Sequence, residues 1–165
     1  MKSGFWRLGL ALLLALGAFL FYEYRQPRFV AGEQAPDFSV MLAGGEAFRL
    51  SDLQGKYVLL QFWGSWCGPC RAENPHLADL YEQYKDAGFE IVSVAIEQNP
   101  RNWQRAIEAD GMVWKYHTAE FSQFKGPLAK LFNIHSIPTT FLLNPDGVIM
   151  GVNLSPERMD KMLRQ

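Results

Sequence analysis

The chain has 165 residues, 48% of them hydrophobic and 20% charged, with a formal net charge of −1. That composition is globular rather than disordered, and the length suits one domain with an appendage. The 16 lysines and arginines form no stripe, which argues against a nucleic-acid surface.

The appendage comes first. Met1 to Arg7 is a short basic segment, and Leu8 to Tyr22 is an uncharged, mostly apolar run, the pattern of a membrane-targeting signal. The run gives about 22 Å of helix, short for a hydrocarbon core of about 30 Å. Counting Phe5 to Tyr24, with Arg7 and Glu23 snorkelling and Trp6, Tyr22 and Tyr24 at the interfaces, brings it to about 30 Å. Ala18 to Tyr22 stays apolar where a cleavage region turns polar, so an uncleaved membrane helix is expected within residues 1–28. Residues 29–165 are then the folded domain. A front of this shape leaves its short basic end in the cytoplasm and exports the remainder of the chain, so the expected location is the cytoplasmic membrane, single-pass, with the domain facing the periplasm or extracytoplasmic space. That part carries 12 basic and 16 acidic residues.

Gln26-Pro27-Arg28 reads as the exit from the membrane. Phe38 to Leu42 and Glu46 to Leu50 read as two short strands around Gly44-Gly45. Tyr57 to Trp63 is apolar except for Gln61, as expected of a strand covered on both faces. Arg71 to Ala87 reads as an amphipathic helix, with Leu77, Leu80, Tyr81 and Tyr84 on one side and a kink expected at Pro75. Phe89 to Ile96 is a second buried strand. Asn102 to Ala109 is a helix starting at Asn99 or Pro100. Val113 to Lys125 fits no pattern, although Trp114 and Tyr116 suit a short strand. Pro127 to Phe132 reads as a helix, Thr139 to Leu143 and Val148 to Val152 as a hairpin around Asn144-Pro145-Asp146-Gly147, and Pro156 to Leu163 as a closing helix. This alternation implies an α/β fold, a mixed central sheet with helices on both faces.

The only two cysteines stand in Trp66-Cys67-Gly68-Pro69-Cys70, between the first buried strand and the helix. Unpaired N–H groups and the positive dipole end of a helix's first turn favour a thiolate, which makes Cys67 the attacking sulfur. Cys70 is the resolving cysteine. Pro69 fits a helix start, Gly68 lets the backbone turn beside the reacting atoms, and Trp66 shields one side. No second cysteine pair exists, and His76, His117 and His135 lack ligand spacing, so no metal is expected. Arg71 stands where a haem-attachment site needs histidine. A loop this small is a weak structural staple.

Ala35-Pro36-Asp37-Phe38, Phe62 to Arg71, and Ser136-Ile137-Pro138-Thr139-Thr140-Phe141 together resemble the thioredoxin superfamily, in particular its TlpA-like and ResA-like membrane-anchored thiol-disulfide oxidoreductases. The resemblance runs from about Gly32 to Leu163. It implies a thioredoxin-like fold with an amino-terminal hairpin and a central insertion at about Asn99 to Gly126. It also implies a cis Ile137–Pro138 bond facing the cysteines, where Ile137 offers strand-like hydrogen bonds to an extended substrate. Thioredoxins carry a buried aspartate six positions before the first cysteine, where Gln61 stands here. TlpA-like proteins often place a carboxylate at the end of the next strand instead. Glu97 is the candidate, expected to be partly buried near Cys70 and to take its proton, unless it is a solvated strand-end residue.

The expected activity is therefore reduction of protein disulfides through a Cys67 mixed disulfide, supplied by a membrane electron donor of the thiol-reductase type. The redox-active Cys67–Cys70 pair needs no other cofactor, and the protein is read as a monomer. Gly68-Pro69 resembles thioredoxin, a reductant at about −270 mV, more than oxidants near about −120 mV. The resemblance suggests apocytochrome c, in cytochrome c maturation, among the substrates. Two alternatives stay open. One is a thiol peroxidase, since Ala35 to Phe38 also opens peroxiredoxin domains, although Leu60 and Gly64 stand where those enzymes place Pro and Thr or Ser. The other is a non-enzymatic module binding Cu(I) or protein.

Overall fold

The computed structural model describes residues 2–26 and 28–164. Met1 and Pro27, which belong to the basic front and the expected membrane exit, and Gln165 lie outside the described residues. The elements in chain order are α1 (Lys2–Arg25), β1 (Ser39–Met41), β2 (Ala47–Arg49), β3 (Tyr57–Trp63), α2 (Gly68–Tyr84), β4 (Phe89–Ile96), α3 (Pro100–Ala109), β5 (Tyr116–Glu120), α4 (Pro127–Leu131), β6 (Thr139–Leu143), β7 (Ile149–Val152) and α5 (Pro156–Leu163). The sheet order is β5-β4-β3-β6-β7, and β1 and β2 pair separately. β3, β4 and β5 run parallel, β6 antiparallel to β3, and β7 antiparallel to β6. This is the thioredoxin-like arrangement.

β3 lies at the centre and is covered on both faces, which explains its apolar run. Val58, Leu60 and Phe62 pack with Phe38, Phe132 and Phe141 on one side. Leu59 and Trp63 pack with Leu77, Leu80, Trp103, Met159 and both cysteines on the other. The two-residue period therefore sends Gln61, between them, to the cysteine side. On the first side the Phe132 ring lies 5.4 Å from Phe62 and 5.3 Å from Phe141, in the range of favourable aromatic pairs.

Several boundaries differ from the sequence expectation. α2 begins at Gly68 rather than Arg71, continues through Pro75, and gives way to a 3-10 turn over Lys85–Ala87. The unassigned stretch Val113 to Lys125 holds edge strand β5, whose buried residues are mostly polar and so hide a strand's apolar alternation. Each has a partner. His117 Nε2 lies 3.2 Å from Met112 O, and Thr118 Oγ1 donates to Met41 O. Glu120 accepts from the Leu128 and Ala129 amides and so caps α4, whose own N-cap Gly126 has no side chain.

α1 is 24 residues long, and Leu12, Leu13 and Phe19 on it are exposed. Among the described residues no helix is long and apolar enough to cross a membrane, so the membrane helix expected within 1–28 is not shown as a span. The uncharged stretch, at about 22 Å, falls short of the hydrocarbon thickness. Its carboxy end meets the domain where the Tyr24 ring lies 4.1 Å from that of His135 and Asn133 Nδ2 donates to Gln26 O.

Candidate active site

Cys67 and Cys70 are joined by a disulfide, with their Cα atoms 5.3 Å apart. Cys67 is the N-cap of α2, and its sulfur accepts a hydrogen bond from the Cys70 amide at 3.2 Å. Sulfur thus takes the place of a Ser or Asp oxygen at a helix start, where the dipole stabilises negative charge. Gly68 and Pro69 are exposed in the first turn, where proline sacrifices no helical hydrogen bond. Cys67 is 5% exposed and Cys70 fully buried. An incoming group therefore meets Cys67 first.

The loop into the cysteines is held by the end of β4. Trp66 Nε1 donates to Ile96 O at 2.7 Å, and the Ser65 amide donates to the Glu97 carboxylate at 2.5 Å. Glu97 is 1% exposed, so it is no solvated strand-end residue, and its second oxygen accepts from the Gln98 amide. Gly64 sits in tight surroundings, since a Cβ there would lie 2.9 Å from Trp66 Nε1 and 3.1 Å from both Ile137 Cδ1 and Ile96 O. A Thr or Ser, as a peroxidase places here, would have to displace the Trp66 ring from its bond to Ile96 O.

The Ile137–Pro138 peptide bond is cis. Both residues are half-buried, and Ile137 packs against the cluster that contains the two cysteines. Trp66 is half-exposed, with its ring edge-on to Phe124 at 6.2 Å. Trp63 is buried in the core, and His135 bonds Asn133 and lies against the Tyr24 ring at a tilt.

Beneath the cysteines runs a buried polar chain that no sequence motif announces. Trp114 Nε1 donates to Ser93 Oγ, which donates to Gln61 Oε1. Gln61 Nε2 donates to Asn74 Oδ1 at 2.9 Å, and Asn74 Nδ2 donates to Asp110 Oδ2 at 2.8 Å. Asp110 also pairs with Arg71 Nε, and Arg71 reaches back to Ser65 O. The residue that replaces the thioredoxin aspartate is thus a neutral link between the sheet and the helix of the cysteines. Asn74 lay within reach of sequence reasoning, because it shares the i, i+4 stripe of Cys70 with the buried Leu77, where a polar side chain needs a partner. Nothing local points to Asp110.

Glu73, just beyond Cys70, is half-buried, and burial raises its carboxyl pKa, with the nearby His76 acting in the opposite direction. Among the described residues no three His, Cys, Asp or Glu side chains gather as metal ligands. The arrangement carries a sulfur pair at a helix start, with one sulfur reachable and the other behind it, which suits thiol–disulfide exchange.

Comparison with known proteins gives the same chemistry. Residues 31–152 match the AhpC/TSA family. The chain is 33% identical over 135 residues to the thiol-disulfide oxidoreductase ResA of Oceanobacillus iheyensis, covering 79% of this chain and 68% of that one. It is 32% identical over 158 residues to ResA of Halalkalibacterium halodurans, covering 92% and 87%. Among solved structures, the thioredoxin domain of a thiol-disulfide oxidoreductase from Bacteroides vulgatus superposes with a TM-score of 0.73 at 29% identity, covering 82% of this chain and 99% of that one.

Proposed function

Because the chain belongs to the AhpC/TSA family, among the ResA-type thiol-disulfide oxidoreductases, we propose that it reduces disulfides of protein substrates outside the cytoplasm, with Cys67 as the attacking and Cys70 as the resolving sulfur. The observation that carries this assignment of roles is the difference in exposure at the start of α2, where Cys67 keeps 5% and Cys70 none. The Cys67 thiolate attacks one sulfur of a substrate disulfide, forming a mixed disulfide, and the other substrate sulfur leaves as a thiolate and takes a proton. Cys70 then loses its proton and attacks Cys67. The second substrate sulfur leaves, two electrons have passed to the substrate, and the protein is left with the Cys67–Cys70 bond. A membrane dithiol donor returns the electrons.

In this scheme Trp66, Gly68 and Pro69 border the approaching disulfide, and Ile137 and Pro138 dock its backbone as an added strand. Glu97 takes the Cys70 proton, a role supported by its burial and its bond to the loop that leads into the cysteines. Reduction is favoured over oxidation by the Gly68-Pro69 pair, and apocytochrome c is a fitting substrate. Residues 2–25 hold the domain at the membrane, a reading supported by the exposed apolar side chains of α1. The test is turnover of a protein disulfide by the prereduced protein, with a measured potential. Reduction and a potential near about −270 mV support the reading, whereas a potential near about −120 mV contradicts the direction. Peroxide consumption at the rate of disulfide reduction would instead favour a thiol peroxidase, a reading drawn from Ala35 to Phe38.

A further inference from the structure

Beside the cysteines lies a groove of about 360 Å3 that exchange chemistry alone does not require. One wall is the loop and helix of the motif, through Ser65, Trp66 and Arg71. The other is α3, through Arg105, Ala106 and Ala109. The small alanines leave the space open, and the exposed Trp66 ring gives it an apolar side immediately before Cys67. Its charge is one-sided. Arg71 is neutralised from behind by Asp110, whereas Arg105 bonds only Asn102 Oδ1 and Arg101 O and meets no carboxylate among the described residues. No acidic residue lines the groove, although the domain as a whole carries more acidic than basic residues.

We propose that this groove is a substrate subsite that takes an acidic side chain, Asp or Glu, lying within a few residues of the target cysteine in an extended polypeptide, and that Arg105 determines that preference. The proposal rests on the protein-disulfide reductase reading and names part of its substrate. An extended chain rises about 3.3 Å per residue, so a segment tethered through its cysteine to Cys67 carries its flanking side chains past Trp66 into the groove. A guanidinium with free N–H groups binds a carboxylate there by donating charge-assisted hydrogen bonds to its oxygens.

The test uses the full chain, prereduced, and peptides with one cysteine disulfide-bonded to a small neutral thiol and Asp, Gln or Lys at each neighbouring position in turn. The wild type is expected to favour the Asp peptides over the Lys peptides by about five-fold in kcat/KM, mainly through KM, and to lose the preference at high salt. Arg105→Glu, at an exposed helix position, should abolish or invert the preference and leave the Gln peptides unchanged. No preference in the wild type, or an equal change for all three peptides in Arg105→Glu, would overturn the subsite while leaving the reductase reading intact. Failure to reduce any of the peptides would overturn both.

Discussion

Asn74 shows how much a single polar residue carries when it stands in a core. Its amide group joins Gln61 on β3 to Asp110 at the end of α3, and so ties the cysteine helix, to which Asn74 belongs, to the sheet and to α3. Asn74→Ala leaves the buried Gln61 amide without an acceptor, so a loss of about 1–3 kcal/mol is expected in denaturant unfolding. His117 sets a pH dependence. Burial pushes its pKa down from the ordinary 6.5 to about 4, while hydrogen bonding with the Met112 and Trp114 backbone acts in the opposite direction. Between those values the unfolded chain binds a proton that the folded one does not, so stability falls as pH drops from 6.5 to about 4, by about 3 kcal/mol from this group. A His117→Gln variant should show a flatter unfolding profile over that range, and an unchanged slope would contradict the assignment.

The end of β4 is the element on which the site turns. Ile96 holds Trp66 and Glu97 holds Ser65, so this strand both builds the core and sets the loop before Cys67. Glu97→Gln can keep a carbonyl acceptor for the Ser65 amide but removes the carboxylate proposed as the base. Stopped-flow kinetics should therefore show mixed-disulfide formation near the wild-type rate and resolution about ten-fold slower or more, within the range of general-base effects; equal slowing of both steps would reduce Glu97 to a structural clamp. The bounds of β3, β4, β6 and α5 coincide with those read from the sequence, because each is a strong apolar run or a periodic segment marked by proline. Of β5 only Tyr116 was expected on a strand, since His117, Thr118 and Glu120 are buried through hydrogen bonds rather than apolarity. The sulfur pair was legible from its spacing alone. The polar chain beneath it was not, because Asp110 lies 36 residues from Asn74 in sequence and only the tertiary fold sets the C-cap of α3 beside α2.

At the scale of the molecule, the domain presents a reachable sulfur on one edge and α1 beside the loop that carries His135, Ile137 and Pro138. The full chain should sediment with membranes and resist alkaline extraction, whereas recovery in the soluble fraction would contradict attachment through α1. In the proposed reaction substrates pass through a covalent bond to Cys67, released by Cys70. It is tested most directly by mixing the reduced Cys70→Ser protein with a disulfide-bonded protein substrate and locating any adduct by mass spectrometry. A stable mixed disulfide at Cys67 is expected, absent from the Cys67→Ser protein and transient in the wild type. An adduct at another residue, or none while the wild type still reduces the substrate, would contradict it.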